Sequence, residues 1–289
     1  MLAPAKVNLY LHVDRVKPNG RHDLDSMVVF AGAEAADRLE VRKADVTSLT
    51  LKGDFAAAEL HSPENLVLRA VAACEAKGLT VPGLSITLHK SLPVAAGLGG
   101  GSADAGAMLR SLIQLGCLTE PVAMRIASEL GGDVPVAVKS RPAYMRGEGE
   151  ILKPAPIFPD LPALLVNPGL ACPTGAVFHT YDSQGGGGDF ALMDMPAFDS
   201  VQPLCEWLEG ATRNDLQAPA ISILPEIGNV LGALTGLTDC KLARMSGSGA
   251  TCFAIFSDMA TARRAARTLE ASQPDWWVTA TQLSGNTTR

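Results

Sequence analysis

The segment from Pro93 to Gly106 places four glycines within five positions, at 97, 99, 100 and 101. Residues 84–89 before it alternate between apolar and polar side chains, as a β-strand does, and helix-forming residues follow Ser102. Glycine has no Cβ, so its backbone N–H can approach an anion closely. A helix N-terminus adds free N–H donors and a partial positive charge. This strand, loop and helix predict a polyphosphate site. The alternative interpretation of these glycines is a flexible hinge or a tight turn before the helix.

The spacing within this loop excludes two common phosphate-binding classes. A Walker A loop has Lys and then Ser or Thr after its last glycine, whereas Ser102 and Ala103 follow Gly101. The dinucleotide-binding fingerprint has a glycine three residues after its second one. Counted from Gly97 and Gly99, that position is Ser102. The loop therefore belongs to another class.

Composition narrows the class of protein. The chain has 289 residues, of which 47% are hydrophobic and 19% charged, as in globular enzymes with a full core. Its net charge is −6 and no basic run stands out, so we expect no nucleic-acid partner. No apolar stretch reaches membrane-spanning length, no signal peptide follows Met1, and the six scattered cysteines form no Cys-x-x-Cys pair. We expect a cytoplasmic protein with reduced thiols, no membrane partner and no metal-ligating side chains.

Strand-like and helix-like segments are mixed without strict βαβ order, which predicts an α+β fold in two domains. The segment Lys153–Pro162 contains four prolines and is the predicted boundary, with domains at 1–155 and 156–289. Strands are predicted at 7–13, 26–30, 38–42, 84–89 and 277–281, with one starting at 164 and two flanking a turn within 242–256. Helices are predicted at 65–77, 103–115, 121–130 and 258–271.

Three segments together resemble the GHMP kinases. Pro93–Ala103 has the pattern Pro-x-x-x-Gly-Leu-Gly-x-Gly-Ser-Ala of their phosphate loop. Residues 4–9 (Pro-Ala-Lys-Val-Asn-Leu) are similar to the first motif of the family, and residues 246–250 (Ser-Gly-Ser-Gly-Ala) to the last. The resemblance implies a two-domain α+β architecture. Its N-terminal domain would resemble domain 2 of ribosomal protein S5, and its C-terminal domain would be ferredoxin-like.

The same resemblance implies a small-molecule kinase that uses ATP and Mg²⁺, the metal bridging phosphate oxygens. The loop would hold the β- and γ-phosphates, and residues 246–249 would close over the phosphates. On its own, the second glycine turn is also typical of a tight hairpin. The residues assigned to the nucleotide are Asn65, Lys90, Pro93, Ala95, Gly97, Leu98, Gly99, Gly100, Gly101 and Ser102.

Two residues are assigned to catalysis. Residues 131–135 (Gly-Gly-Asp-Val-Pro) resemble the Gly-Ala-Asp-Val-Pro motif of the family, whose aspartate is the catalytic base. The resemblance implies that Asp133 accepts the proton of the acceptor hydroxyl. Lys6 would keep that carboxylate ionised and orient the hydroxyl. Without the resemblance, Asp133 would also suit a helix N-cap, and Lys6 a solvated surface.

Two further segments resemble one branch of the superfamily, the diphosphocytidyl-methylerythritol kinases of non-mevalonate isoprenoid biosynthesis. Residues 20–22 (Gly-Arg-His) and 173–178 (Pro-Thr-Gly-Ala-Val-Phe) match its segments, except that Arg21 stands where the branch has tyrosine. A guanidinium plane can also stack on a base. The resemblance implies that 4-diphosphocytidyl-2-C-methyl-D-erythritol is the acceptor, phosphorylated on its 2-hydroxyl. The residues assigned to it are Asn8, Arg21, His22, Thr174, Phe178, Gly247 and Ser248.

Several alternatives stay open at this point. Alone, His22 would suit a surface and Phe178 a core. A GHMP kinase acting on another alcohol, of the homoserine or mevalonate type, would not need these two residues to face one pocket. A non-catalytic nucleotide-binding relative would not need Lys6 or Asp133. The sequence does not fix the oligomeric state, and a monomer or weak homodimer is expected.

Overall fold

The computed structural model describes residues 1–188 and 190–286, which form two compact units. Unit 1 combines residues 1–5, 36–94 and 99–140. Unit 2 combines residues 6–35, 95–98 and the described residues from 141 onward. Both contain strands and helices, so the predicted α+β class is confirmed. The domain boundary between residues 155 and 156 stays a prediction.

Strands and helices are numbered in chain order. The strands are β1 (Leu2–Pro4), β2 (Lys6–Val16), β3 (His22–Phe30), β4 (Ala36–Lys43), β5 (Ser48–Lys52), β6 (Leu84–His89), β7 (Ala143–Gly147), β8 (Ile151–Pro154), β9 (Leu161–Asn167), β10 (Leu242–Met245), β11 (Cys252–Ile255) and β12 (Trp277–Leu283). The helices are α1 (Leu66–Ala76), α2 (Gly100–Gln114), α3 (Glu120–Leu130), α4 (Val134–Lys139), α5 (Thr174–Ser183), α6 (Val201–Ala211), α7 (Gln217–Ile223), α8 (Glu226–Thr235) and α9 (Met259–Ser272).

Unit 1 is built on one four-stranded sheet in the order β1-β4-β6-β5. Strand β5 runs parallel to β6, and the other pairs are antiparallel. Helix α2 packs on β1 and β4 and also contacts α1, α3 and α4. Gly106 makes the contact with α4 close, because a Cβ there would lie 2.7 Å from the carbonyl carbon of Ala137. This packing fixes α2, and therefore its N-terminal turn, within unit 1.

Unit 2 contains two antiparallel sheets, ordered β2-β3-β7-β8 and β10-β11-β9-β12. Every residue of β2 from Lys6 to Val13 is buried, on both faces of the strand. The polar face that carries Lys6 and Asn8 is therefore not a solvated surface. Residues 246–251 form the turn between β10 and β11.

The periodic segments of the sequence form the predicted elements, with small shifts at their ends. The largest shift is at β3, which begins at His22, four residues before its predicted start. Two other differences follow. Helix α2 begins at Gly100, three residues before its predicted start, and the proline-rich segment 153–162 contains the end of β8 and the start of β9. The elements that were not predicted are β1, β5, β7, β8, α5, α6, α7 and α8, and α4 was considered only as a helix that Asp133 would cap.

Candidate active site

The N-terminal turn of α2 in unit 1 has backbone donors that the helix itself does not pair. Gly99 is the N-cap in a left-handed conformation, with φ of +63°. The first intrahelical bond runs from the N–H of Ala103 to the carbonyl oxygen of Gly99, at 2.8 Å. The N–H groups of Gly100, Gly101 and Ser102 precede it, so the helix itself offers them no acceptor. Such a turn can receive the oxygens of a phosphate.

In unit 2, the two glycine segments that the sequence placed far apart are in contact. Gly97 has φ of +73°, and a Cβ there would lie 2.3 Å from the carbonyl oxygen of Ser246. Ser246 Oγ donates to the carbonyl oxygen of Gly97 at 3.1 Å. At Gly247, a Cβ would lie 2.9 Å from that same oxygen. Only glycine satisfies both the conformation and the space at position 97.

The side chains of Thr174 and Ser248, both assigned to the acceptor, also meet within unit 2. Their hydroxyl oxygens lie 2.8 Å apart, close enough for a hydrogen bond. Thr174 begins α5, which also carries Phe178, whereas Ser248 belongs to the glycine turn. The bond therefore connects α5 to the turn that contacts Gly97.

Lys6 and Asn8 lie two residues apart on β2, and their side chains meet. Lys6 Nζ donates to Asn8 Oδ1 at 2.9 Å. Only 6% of Lys6 and 3% of Asn8 is exposed. The backbone is fixed as well, because the Asn8 N–H donates to Ser246 Oγ at 3.2 Å and the Lys6 N–H to the carbonyl oxygen of Leu98 at 2.9 Å. Within unit 2, the ammonium of Lys6 is bound to Asn8, and buried groups fix the backbone of both residues.

Asp133 occupies the N-cap position of α4 in unit 1, but its side chain makes no capping hydrogen bond. Its φ of −84° and ψ of −14° are helical, whereas a capping residue normally has an extended backbone. Pro135 follows within the first turn, where its missing N–H costs nothing. The carboxylate is therefore not used to cap the helix.

Two nucleotide-assigned residues have structural partners in unit 1. Asn65 caps α1, since its Oδ1 accepts from the N–H of Val67 at 2.9 Å. Lys90 follows β6, and its buried Nζ donates to Asp37 and, at 2.8 Å, to Asp104. Asp37 and Asp104 were not predicted as site residues. The signals in the sequence were that Asp37 shares a strand face with Leu39 and Val41, and that Asp104 is the one acidic residue of α2.

The Asp37–Lys90–Asp104 cluster is an ionic centre almost closed to water, with 0%, 4% and 4% of these residues exposed. Asp37 also accepts from the N–H groups of Ser91 at 2.6 Å and Leu92 at 2.9 Å. Burial raises the pKa of the Asp104 carboxyl despite the attraction of Lys90. Burial alone would lower the pKa of Lys90, but the two carboxylates outweigh it and raise that pKa. The cluster ties β4, the segment after β6, and α2 together.

His22 and Phe178 line one cavity in unit 2, of about 450 Å³. Their ring centroids lie 4.9 Å apart with the planes tilted by 36°. His22 Nε2 lies 2.7 Å from Asp182 Oδ1, which fixes the ring, and the His22 side chain is 6% exposed. His22 is therefore not a surface histidine. The other lining residues are Gly20, Arg21, Leu24, Glu148, Gly175, His179 and Asp182.

Arg21 lies at the mouth of this cavity, with 71% of its side chain exposed. Its Nη1 donates to Glu148 Oε2 at 2.9 Å, and Lys17 Nζ lies 2.7 Å from Glu148 Oε1. Hydrogen bonds from Lys17, Asn19 and Arg21 lower the pKa of Glu148 to about 2. Glu148 therefore stays ionised and holds the guanidinium beside the cavity. Glu148 was not predicted as a site residue, because it lies far from Arg21 along the chain.

The chain matches two family models and several named relatives. The models are "GHMP kinases N terminal domain", over residues 65–141, and "GHMP kinases C terminal", over residues 195–275. The 4-diphosphocytidyl-2-C-methyl-D-erythritol kinase of Hyphomonas neptunium is 50% identical, covering 97% of this chain and 95% of that protein. The enzyme of the same name from Caulobacter sp. (strain K31) is 43% identical, covering 98% and 97%.

A solved structure agrees with these matches. The crystal structure of a 4-(cytidine 5′-diphospho)-2C-methyl-D-erythritol kinase has a TM-score of 0.76 and 34% identity, covering 99% of each chain. In the part of this chain that the structure describes, no helix has the length and apolarity needed to span a bilayer. From the two family models and these full-length relatives, the chain belongs to the GHMP kinases, in the family of 4-diphosphocytidyl-2-C-methyl-D-erythritol kinases, and is a small-molecule kinase.

Proposed function

We propose that this kinase transfers the γ-phosphoryl group of ATP to the 2-hydroxyl of 4-diphosphocytidyl-2-C-methyl-D-erythritol, in non-mevalonate isoprenoid biosynthesis. The relatives carry the name of this activity. The observation that supports it most is the shared cavity of His22 and Phe178, with Arg21 at its mouth. An aromatic ring and a guanidinium plane both offer a stacking surface to a pyrimidine. A homoserine or mevalonate kinase would have no base to place there.

The residues present fit an ATP polyphosphate. The N–H groups of Gly100, Gly101 and Ser102 precede the first hydrogen bond of α2 and can each take a phosphate oxygen. Mg²⁺, when bound, would offset part of the negative charge of the phosphates. Among residues 1–188 and 190–286, no group of three or more His, Cys, Asp or Glu could hold a metal ion. We propose that the metal would enter with the nucleotide, whose phosphate oxygens would supply most of its ligands.

The reaction asks the protein to position groups and stabilise charge. The acceptor oxygen forms a bond to the γ-phosphorus while the bond to the oxygen bridging the β- and γ-phosphates breaks, so ADP leaves. Asp133, which is not used as a cap, would take the hydroxyl proton. Lys6 would place its ammonium towards the developing negative charge, and Asn8 would hydrogen bond the acceptor.

The acceptor is tested by measuring ADP release from ATP and Mg²⁺ with the purified protein. We expect turnover with 4-diphosphocytidyl-2-C-methyl-D-erythritol and none with homoserine or mevalonate. A reaction without any acceptor sets the background of ATP hydrolysis. Turnover with homoserine or mevalonate alone would overturn the substrate and keep the kinase. Nucleotide binding without turnover on any of the three alcohols would favour a non-catalytic relative.

Ser102→Ala is expected to raise the Kd for ATP by roughly 10- to 100-fold, because a hydrogen bond to a charged group contributes about 1.5–3 kcal/mol. Titration calorimetry with a non-hydrolysable ATP analogue measures this directly. Ser111→Ala is the matched control on the same helix, since Ser111 Oγ donates to the carbonyl oxygen of Ala107. Equal affinities for the two variants would mean that the Ser102 hydroxyl makes no bond to the phosphates.

Two remaining expectations stay proposals. The cytoplasmic location rests on the six cysteines, all of which are free thiols. The expectation of a monomer or weak homodimer is not supported by any observed interface. Sedimentation velocity at two protein concentrations would settle the second.

A further inference from the structure

Ser26 is a buried hydroxyl in β3, where it lies between the buried Asp25 and Met27, and 1% of it is exposed. Strand β3 pairs with β2, where Asn8 lies opposite Val28. Ser26 precedes Val28 by two residues, so it shares the face on which Asn8 lies. Neither the motif resemblance nor the phosphate loop assigns any role to Ser26. Ser26 is nevertheless connected to Lys6, because Asn8 forms a hydrogen bond with each of them.

The hydrogen-bond directions in this group are fixed by chemistry. Ser26 Oγ donates to the carbonyl oxygen of Tyr10 at 2.5 Å. A hydroxyl has one proton, so towards Asn8 the same oxygen can only accept. Asn8 Nδ2 donates to it at 2.8 Å. Ser26 therefore fixes the orientation of the Asn8 amide, with Nδ2 towards the Ser26 hydroxyl.

The orientation of the amide in turn decides what Lys6 meets. With Nδ2 towards Ser26, Asn8 Oδ1 faces Lys6 Nζ and accepts from it at 2.9 Å. A half-turn of the amide would present its NH₂ to the ammonium, and two donors would then face each other. Lys6 would lose an acceptor in a setting where only 6% of it is exposed. Buried charges are costly unless hydrogen-bonded.

We propose that Ser26 is a positioning residue for Lys6, acting through the amide of Asn8. Ser26 touches no reacting atom in this scheme. It fixes the amide, the amide fixes the ammonium, and the ammonium acts on the reacting groups. The inference rests on the proposed function for the role of Lys6, whereas the orientation of the amide stands on the contacts within unit 2 alone.

The kinetic test uses a double-mutant cycle. Ser26→Ala is expected to lower kcat by roughly 10- to 100-fold, the cost of a misplaced catalytic group, with the KM for ATP unchanged. In an Asn8→Asp background both side-chain oxygens accept, so either can face Lys6. There the same Ser26→Ala change is expected to cost less than about threefold, since orientation no longer matters. An equal cost in both backgrounds would refute action through the amide.

Two controls separate positioning from simple packing. Ser26→Thr keeps the hydroxyl and is expected to restore most of kcat. Ser284→Ala removes a hydroxyl that accepts from the N–H of Phe30, at the end of the same strand, and is expected to leave kcat unchanged. If Ser26→Ala lowered thermal stability but not kcat, Ser26 would only support the sheet.

A readout that needs no turnover separates this inference from the proposed function. In ¹⁵N-labelled protein without ligands, the side-chain NH₂ of Asn8 is expected to give two resolved, exchange-protected signals. In Ser26→Ala we expect the protection to be lost. If protection were lost but no acceptor were turned over, the amide orientation would stand and the proposed function would fail. Unchanged protection would overturn the inference itself.

Discussion

Asp133→Asn is expected to lower kcat by about 10²–10⁴-fold, the range for losing a general base. The amide has nearly the shape of the carboxylate but cannot accept the proton. The KM for ATP is expected to stay close to that of the wild type, because the phosphate site uses other groups. Steady-state ADP release at saturating acceptor measures both constants.

The competing role for Asp133 is that of a helix cap, and the structure supplies a matched control for it. Asp258 is a side-chain cap, since its Oδ1 accepts from the N–H of Thr261 at 2.7 Å. Asp258→Ala is expected to lower the melting temperature and leave kcat unchanged. Asp133 makes no such bond, so Asp133→Asn is expected to show the opposite pattern. A near-normal kcat in Asp133→Asn would leave the catalytic assignment without support.

Lys90→Met is expected to destabilise unit 1 by about 3–5 kcal/mol, the usual cost of removing one partner from a buried ion pair. Asp37 and Asp104 would then share a site from which water is excluded, without a cation between them. The loss is large because neither carboxylate can turn to solvent, and Asp37 also anchors the N–H groups of Ser91 and Leu92.

The measurement must report on unit 1. Trp207, Trp276 and Trp277, the three tryptophans of the chain, all lie in unit 2, so hydrogen exchange of amides in β4, β6 and α2 is the suitable probe. The control is Lys77→Met. Lys77 and Glu129 are 2.7 Å apart with side chains 39% and 58% exposed, and such pairs contribute less than about 1 kcal/mol. Equal losses for the two variants would mean that the buried cluster is not a special source of stability.

Local patterns predicted the elements whose periodicity is strong and failed where tertiary packing decides. Helix α9 has a side-chain cap and a clear apolar face, and its predicted range is nearly the observed one. Helix α2 starts three residues early, on two glycines, although glycine costs about 1 kcal/mol in a helix relative to alanine. Its packing on β1, β4 and α4 outweighs that cost. Helix α7 is short and contains Pro219, so no helical pattern marks it.

Residues of the candidate site were predicted only where they belong to a motif that resembles the family. The meeting of His22 with Phe178 joins residues far apart in the chain, and periodicity gives no information on such pairs. Ser26 and Glu148 act through cross-strand and cross-loop hydrogen bonds. Those bonds depend on strand register. An apolar pattern limits the register but does not identify which residues pair across the strands. Asp37 and Asp104 break the apolar pattern of their elements, but the pattern does not say which cation they meet.

The division of the chain between its two units also sets an order for folding during synthesis. All strands and helices of unit 1 precede Ser140, so its sheet can close as soon as that part of the chain has left the ribosome. Strands β2 and β3 are made first but belong to unit 2, where Met27 of β3 pairs with Tyr144 of β7. The β2–β3 hairpin, which carries Lys6 and Asn8, therefore has one unpaired strand edge until β7 has been synthesised. Lys6 is therefore among the first residues synthesised and among the last to reach its final surroundings.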